Sequence, residues 1–140
     1  MERGTARARL ERDADDRFVP LRRQLGVTSF GLNQIVLQPG QRGRIHRHGR
    51  QEEVYVVLEG TLTLLVEGEA TELGEGELMR VAPALRRQLV NRGPGVLVLI
   101  ALGGAGTHEG RDGEAFTSWD EEQGAPPQEV PLPSDLDPAA

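Results

Sequence analysis

Two of the chain's three histidines, His46 and His48, stand one residue apart in GRIHRHGRQEEVYVVLEG (residues 43–60), and the glutamates Glu52 and Glu53 follow shortly after. Imidazoles and carboxylates are the side chains that hold divalent metals. On a strand, side chains alternate between faces, so His46 and His48 point one way while Ile45 and Arg47 point the other. Glu53 opens the next apolar stretch and shares parity with Tyr55 and Val57, so its carboxylate can reach the same space from a neighbouring strand. Two histidines and one carboxylate form a facial set suited to octahedral Mn, Fe, Co or Ni, with open positions for a substrate. An isolated H-x-H in an Arg-rich loop is otherwise solvated polar surface; the glycine spacing around this one shifts the balance.

The composition closes off other chemistries. There is no Cys, which excludes disulfides, thiolate metal sites and a cysteine nucleophile. All 16 basic residues are Arg, which excludes Schiff-base and P-loop lysines. At 140 residues and 15.3 kDa, one domain with a core is expected. The longest apolar run, VLVLIAL (96–102), is far shorter than a bilayer span, and no apolar h-region follows the charged N-terminus, so the expectation is a soluble cytoplasmic protein without a membrane partner.

Charge divides the chain. Residues 1–26 carry seven Arg against five acids, residues 27–104 eight against eight, and residues 105–140 one Arg against nine acids. The middle stretch reads as the domain, the first as an N-terminal segment, and the last as an acidic, Pro-rich, partly disordered tail. A net charge of −6 with such a tail argues against nucleic-acid binding, despite Arg7, Arg9 and Arg12.

The elements that must position the histidines have the period of strands. TSFGLNQIVL (28–37), EEVYVVL (52–58), TLTLLVE (61–67), RRQLVN (86–91) and VLVLIAL (96–102) are short, β-branched or alternating, and separated by Gly, Pro and Asn. Hairpin chemistry lies around Gly68 and in NRGPG (91–95). The pattern is that of an all-β sandwich or barrel. The one helix candidate is GTARARLERDADDR (4–17), weakly amphipathic and outside the core.

Gly40, His46, His48, Glu53 and Gly60 fall at the spacing G-x5-H-x-H-x4-E-x6-G, which resembles the first motif of the cupin superfamily at every defined position. GELMRVAPALRRQLVN (76–91) resembles the second, G-x5-P-x-G-x2-H-x3-N, in part: Gly76 and Asn91 are in place, while Ala82, Ala84 and Arg87 stand where Pro, Gly and the third histidine belong. Over about residues 27–104 the resemblance implies a double-stranded β-helix, the small jelly-roll barrel, of the kind found in single-domain bacterial cupins, with the site inside it.

Arg87 is the main departure, because in a full cupin site its position supplies the fourth ligand. A guanidinium stays protonated and offers only donors. A unit charge about 5 Å from a divalent ion costs on the order of 6 kcal/mol at an effective dielectric of ~20. Three arrangements stand open. His46, His48 and Glu53 hold a divalent metal (Mn, Fe, Ni, Co or Zn) weakly, while Arg87 turns to the barrel mouth to clamp an anionic substrate; or Arg87 pairs with Glu53 and no metal is bound; or the site is vestigial. Tyr55 is a second substrate-side candidate, with a core role as its alternative.

Among the remaining residues, Arg42, Arg44, Arg47 and Arg50 surround the H-x-H segment as a solvated or anion-attracting patch. Leu89 shares Arg87's parity and should line the barrel. His108 reads as a loop residue, and Phe116 and Trp119 as anchors of the acidic segment. A homodimer using the N-terminal segment and the edge of TSFGLNQIVL is expected. Two function classes remain: a metal-dependent small-molecule enzyme of oxygenase or isomerase type, and a non-catalytic ligand-binding or sensing barrel.

Overall fold

A computed structural model describes residues 4–104 and 112–136. Among these residues ten strands form two five-stranded antiparallel sheets: β1 (Phe18–Val19), β2 (Gly31–Leu37), β3 (Ile45–His48), β4 (Glu52–Glu59), β5 (Leu62–Val66), β6 (Glu69–Leu73), β7 (Leu78–Val81), β8 (Arg87–Val90), β9 (Leu97–Gly104) and β10 (Gly113–Phe116). The first sheet runs β1-β2-β9-β4-β7 and the second β10-β3-β8-β5-β6. This is the double-stranded β-helix that the resemblance implied, and its two packed sheets are the all-β architecture expected from the strand period.

Alternation builds the core. Ile35, Leu37, Tyr55, Val57 and Leu99 of the first sheet meet Leu62, Leu64 and Leu89 of the second in one buried cluster. Leu89 therefore lines the interior as its parity requires. Two turns show why glycine sits where it does. The β5–β6 hairpin turns through Glu67 (φ 48°) and Gly68 (φ 84°), the paired positive dihedrals of a tight two-residue turn. At Gly60 (φ 83°) a Cβ would lie 2.3 Å from the Val96 carbonyl oxygen, so the last motif glycine marks a close backbone approach between β4 and β9.

Two expectations change and a third is refined. Residues 4–17 contain no helix; the α-helix among the described residues is the five-residue α1 (Leu21–Leu25), closed by Gly26 in the left-handed region. The upstream segment is extended because the sheet offers its backbone better partners: the Gln34 side chain accepts from Glu11 N and donates to Glu11 O. Next, the edge expected of TSFGLNQIVL together with the N-terminal segment is carried in part by that segment, whose β1 pairs with β2 at Gln34 and Ile35.

Finally, the fold runs past residue 104. β10 pairs in register with β3 from Gly113↔His48 to Phe116↔Ile45, and Ala115 bridges Ala125. Residues 127–129 form a single 3₁₀ turn, Val130 is buried, and Leu136 N donates to Gly40 O. The arginine patch explains this order. Arg42 donates to Ser134 O, Arg44 to Val130 O, and Arg47 pairs with Glu114 while lying 5.3 Å over the Phe116 ring. Backbone that would otherwise be too polar to settle on the sheet is held by charged donors. Arg50 is exposed, and His108 lies outside the described residues. No helix among the described residues is long and apolar enough to cross a membrane.

Candidate metal centre

β3 and β4 meet at the end of the barrel, one from each sheet, and carry His46, His48 and Glu53 to a single point. Their ligating atoms all lie within 4.8 Å of one another. His46 Nε2 is 3.3 Å and His48 Nε2 3.2 Å from the same oxygen, Glu53 Oε1. The rings stand edge to face at 5.3 Å, as two residues on one strand face can.

Each imidazole is oriented by its other nitrogen. His46 Nδ1 donates to Arg44 O at 3.1 Å, and His48 Nδ1 to Asp112 Oδ1 at 2.8 Å. Both Nε2 atoms are left facing inward, where each can carry a proton toward Glu53 or a lone pair toward a cation. The His48 Nε2 contact with Glu53 misses hydrogen-bond geometry, leaving a buried ring nitrogen with no partner among the described residues. An orphaned inward nitrogen, a second inward nitrogen and a carboxylate between them fit a divalent cation.

Electrostatics favour ionised Glu53. Burial alone would push its carboxyl up, but the imidazoles of His46 and His48 beside it outweigh burial and hold the group well below the usual carboxylate range. Burial pulls His48 down, and the carboxylates of Glu53 and Asp112 overcome it, so its value lies above that of a free imidazole. Burial, then the charge of Glu53, drive the Tyr55 phenol well above its ordinary value, so it remains a donor to Glu53 Oε1 at 2.5 Å.

Arg87 and Tyr55 are not where a substrate clamp would put them. Arg87 has no exposed surface and Tyr55 only 1%. Arg87 Nη2 donates to Ala82 O at 2.7 Å, and Nη1 lies 3.9 Å from Glu53 Oε1. Both residues sit beneath the glutamate and support its charge instead of turning to the mouth. The reason is local: the Ala82 carbonyl, just after β7, lies within reach of the guanidinium, which is thereby held inside. Asn91, the last residue of the second motif, is likewise structural, donating to Leu37 O and Gly95 O.

The open side of the site is a cavity of about 210 Å³ lined by Arg22, Arg23, Asn33, His48, Gln51 and Glu53. The reading by motif missed four of these residues and Asp112. Asp112 also accepts from Arg50 N, Gln51 N and Gln51 Nε2, fastening the β3–β4 turn. No spacing rule reaches it, because it arrives through the pairing of β10 with β3. A larger cavity of about 410 Å³ lies on the outer side of the second sheet, between Gln88, Phe116, Trp119 and Pro131, away from the histidines.

Comparison with known proteins agrees with this architecture. The family described as "Cupin domain" matches residues 33–103, half of the chain. The chain therefore belongs to the cupin family. It is 33% identical over 69 residues to the tetracenomycin polyketide synthase protein TcmJ of Streptomyces glaucescens, a match covering 49% of this chain and 46% of that protein. Among solved structures it resembles a cupin protein of Bacteroides fragilis (24% identity, TM-score 0.65, 86% of this chain and 97% of that one). It also resembles a candidate sugar phosphate isomerase of Acidithiobacillus ferrooxidans (25% identity, TM-score 0.59, 68% of this chain and 60% of that one). The chain thus spans less than two thirds of two of these relatives.

Proposed function

We propose that this cupin holds a divalent metal through His46, His48 and Glu53 and acts there on a small molecule, as an enzyme of isomerase or oxygenase type. The observation that carries the reading is the convergence of two inward Nε2 atoms on one carboxylate oxygen, with both Nδ1 atoms committed to acceptors. The likeness to a candidate sugar phosphate isomerase supports the isomerase side of that class.

A bound metal would supply Lewis-acid polarisation of a ligand oxygen. The chain's own residues do the rest. Asp112 keeps His48 as the Nδ1–H tautomer, and the Arg44 carbonyl does the same for His46. Tyr55 and Arg87 hold Glu53 ionised from below. Gln51 and Asn33 offer neutral polar contacts on the cavity wall.

The second reading has its own observation: Arg87 lies 3.9 Å from Glu53 with no exposed surface, the arrangement of a barrel that binds ligand without metal. Metal analysis of protein purified without a histidine tag, followed by titration with Mn, Fe, Co, Ni and Zn, separates the two. Stoichiometric but weak binding that disappears in His46→Ala is expected. Failure of all five ions to bind would leave the metal-free barrel.

A further inference from the structure

The cavity beside the metal ligands carries a charge pattern that those ligands do not use. Arg22 and Arg23 line it together with Asn33, His48 and Glu53. Their position is built in: α1 is only five residues long, yet Leu21 is buried at 6% exposure and packs the helix against β2, the strand that bears Asn33. Arg22 Nη1 donates to Val27 O at 3.3 Å, which ties that side chain to the turn following the helix.

Neither arginine pairs with a carboxylate among the described residues. Among the described residues the guanidinium–carboxylate pairs are made by Arg12, Arg17, Arg47, Arg80, Arg86 and Arg87. With a divalent ion in place, Glu53 and Asp112 only match its charge. Arg87 then remains as a buried cation below the site, and Arg22 and Arg23 as two more at its mouth. Such a cavity is completed by an anion. Its volume is below the ~300–1,000 Å³ of sites for drug-sized ligands, so the anion must be small.

We propose that Arg22 and Arg23 are the anion-recognition pair of this site, and that its ligand is a small acid whose carboxylate or phosphate group lies against α1. The rest of that molecule then faces Glu53 and His48. Guanidinium suits this task because its planar fork meets two oxygens of one oxyanion at once. The assignment rests on the reading of this cavity as the ligand side of the metal site. It gives to α1 the role that the motif spacing suggested for Arg87.

The test is a titration of isotope-labelled protein, metal-free and zinc-loaded, with malonate, inorganic phosphate and the neutral analogue malonamide, following the Asn33 side-chain amide by NMR. Saturable shifts with malonate or phosphate and none with malonamide are expected; which acid binds distinguishes a carboxylate from a phosphate ligand. Arg23→Gln should weaken binding by about tenfold and the double variant Arg22→Gln/Arg23→Gln by about a hundredfold. Arg92→Gln, an exposed arginine outside the cavity lining, should bind as the native protein does. Zinc affinity of the double variant should stay within about threefold of native, since the metal ligands are untouched. The proposal is overturned if neither acid saturates, if malonamide binds equally well, or if Arg92→Gln costs as much as Arg23→Gln. If zinc fails to bind while the arginine variants still lose the acid, the metal reading falls and the assignment of Arg22 and Arg23 stands.

Discussion

Arg87 and His46 are register partners on β8 and β3, and the same arginine reaches across the barrel to bring Nη1 within 3.9 Å of Glu53 Oε1 on the other sheet. A position that would ligate in a full cupin site thus holds a fixed, fully buried cation. Its Nε and Nη1 make no hydrogen bond among the described residues, so proximity to the Glu53 charge is what compensates them. A metal at His46, His48 and Glu53 has to share that carboxylate's field with Arg87.

Two substitutions at Arg87 follow from this. Arg87→His removes the repulsion and restores an imidazole, and should tighten manganese or zinc binding in calorimetric titration; equal or weaker binding would show that Arg87 does not limit the metal. Arg87→Ala should destabilise the metal-free protein in urea unfolding. Breaking a buried pair costs ~3–5 kcal/mol, and the loss here should fall toward the lower end because Tyr55 and His46 still hold Glu53.

Asp112→Asn keeps the shape of the contact to His48 but removes its charge. Metal affinity should fall by about 10–100-fold, the usual effect of losing the carboxylate behind a ligating imidazole. Zinc titration against a chromogenic chelator reads this directly. An unchanged affinity would mean that Asp112 only fastens the turn at Arg50 and Gln51.

Tyr55→Phe deletes the donor to Glu53 Oε1 within a fully buried layer. A hydrogen bond to a charged group contributes about 1.5–3 kcal/mol. Thermal and urea unfolding of the metal-free variant should show a loss of that order. A neutral result would place the support of Glu53 on the histidines and Arg87 alone.

The Glu67–Arg86 contact gives a pH dependence. The hydrogen bond from Arg86 holds the Glu67 carboxyl below its ordinary value of 4.5, although slight burial opposes this. A folded-state value below the unfolded one stabilises the protein above about pH 4.5, and the contribution is lost as pH falls through the lower, folded value. Arg86 also donates to the carbonyls of Trp119 and Glu121, so the loss should appear first as a change in Trp119 fluorescence. Glu67→Gln should be less stable than the native protein at neutral pH, and the two should converge in acid. A constant difference across the range would exclude the ion pair as its source.

The fold and the grouping of His46, His48 and Glu53 were legible in the sequence because both depend on short-range rules. His46 and His48 share a face through strand alternation alone, Glu53 follows after a single turn, and Gly60 occupies a backbone approach that admits no Cβ. The strand period likewise implied two packed sheets without reference to any distant contact. What tertiary structure decided is whatever arrives from far along the chain or depends on a side-chain torsion. Asp112 reaches His48 because β10 pairs with β3 across 64 residues of sequence, and Arg22 and Arg23 reach the cavity because buried Leu21 docks α1 on β2. Arg87 was identified at its position but not in its direction. The acceptor at Ala82 O, not its place in the motif, turns it inward, and that torsion separates a clamp at the mouth from a buried counter-charge to Glu53.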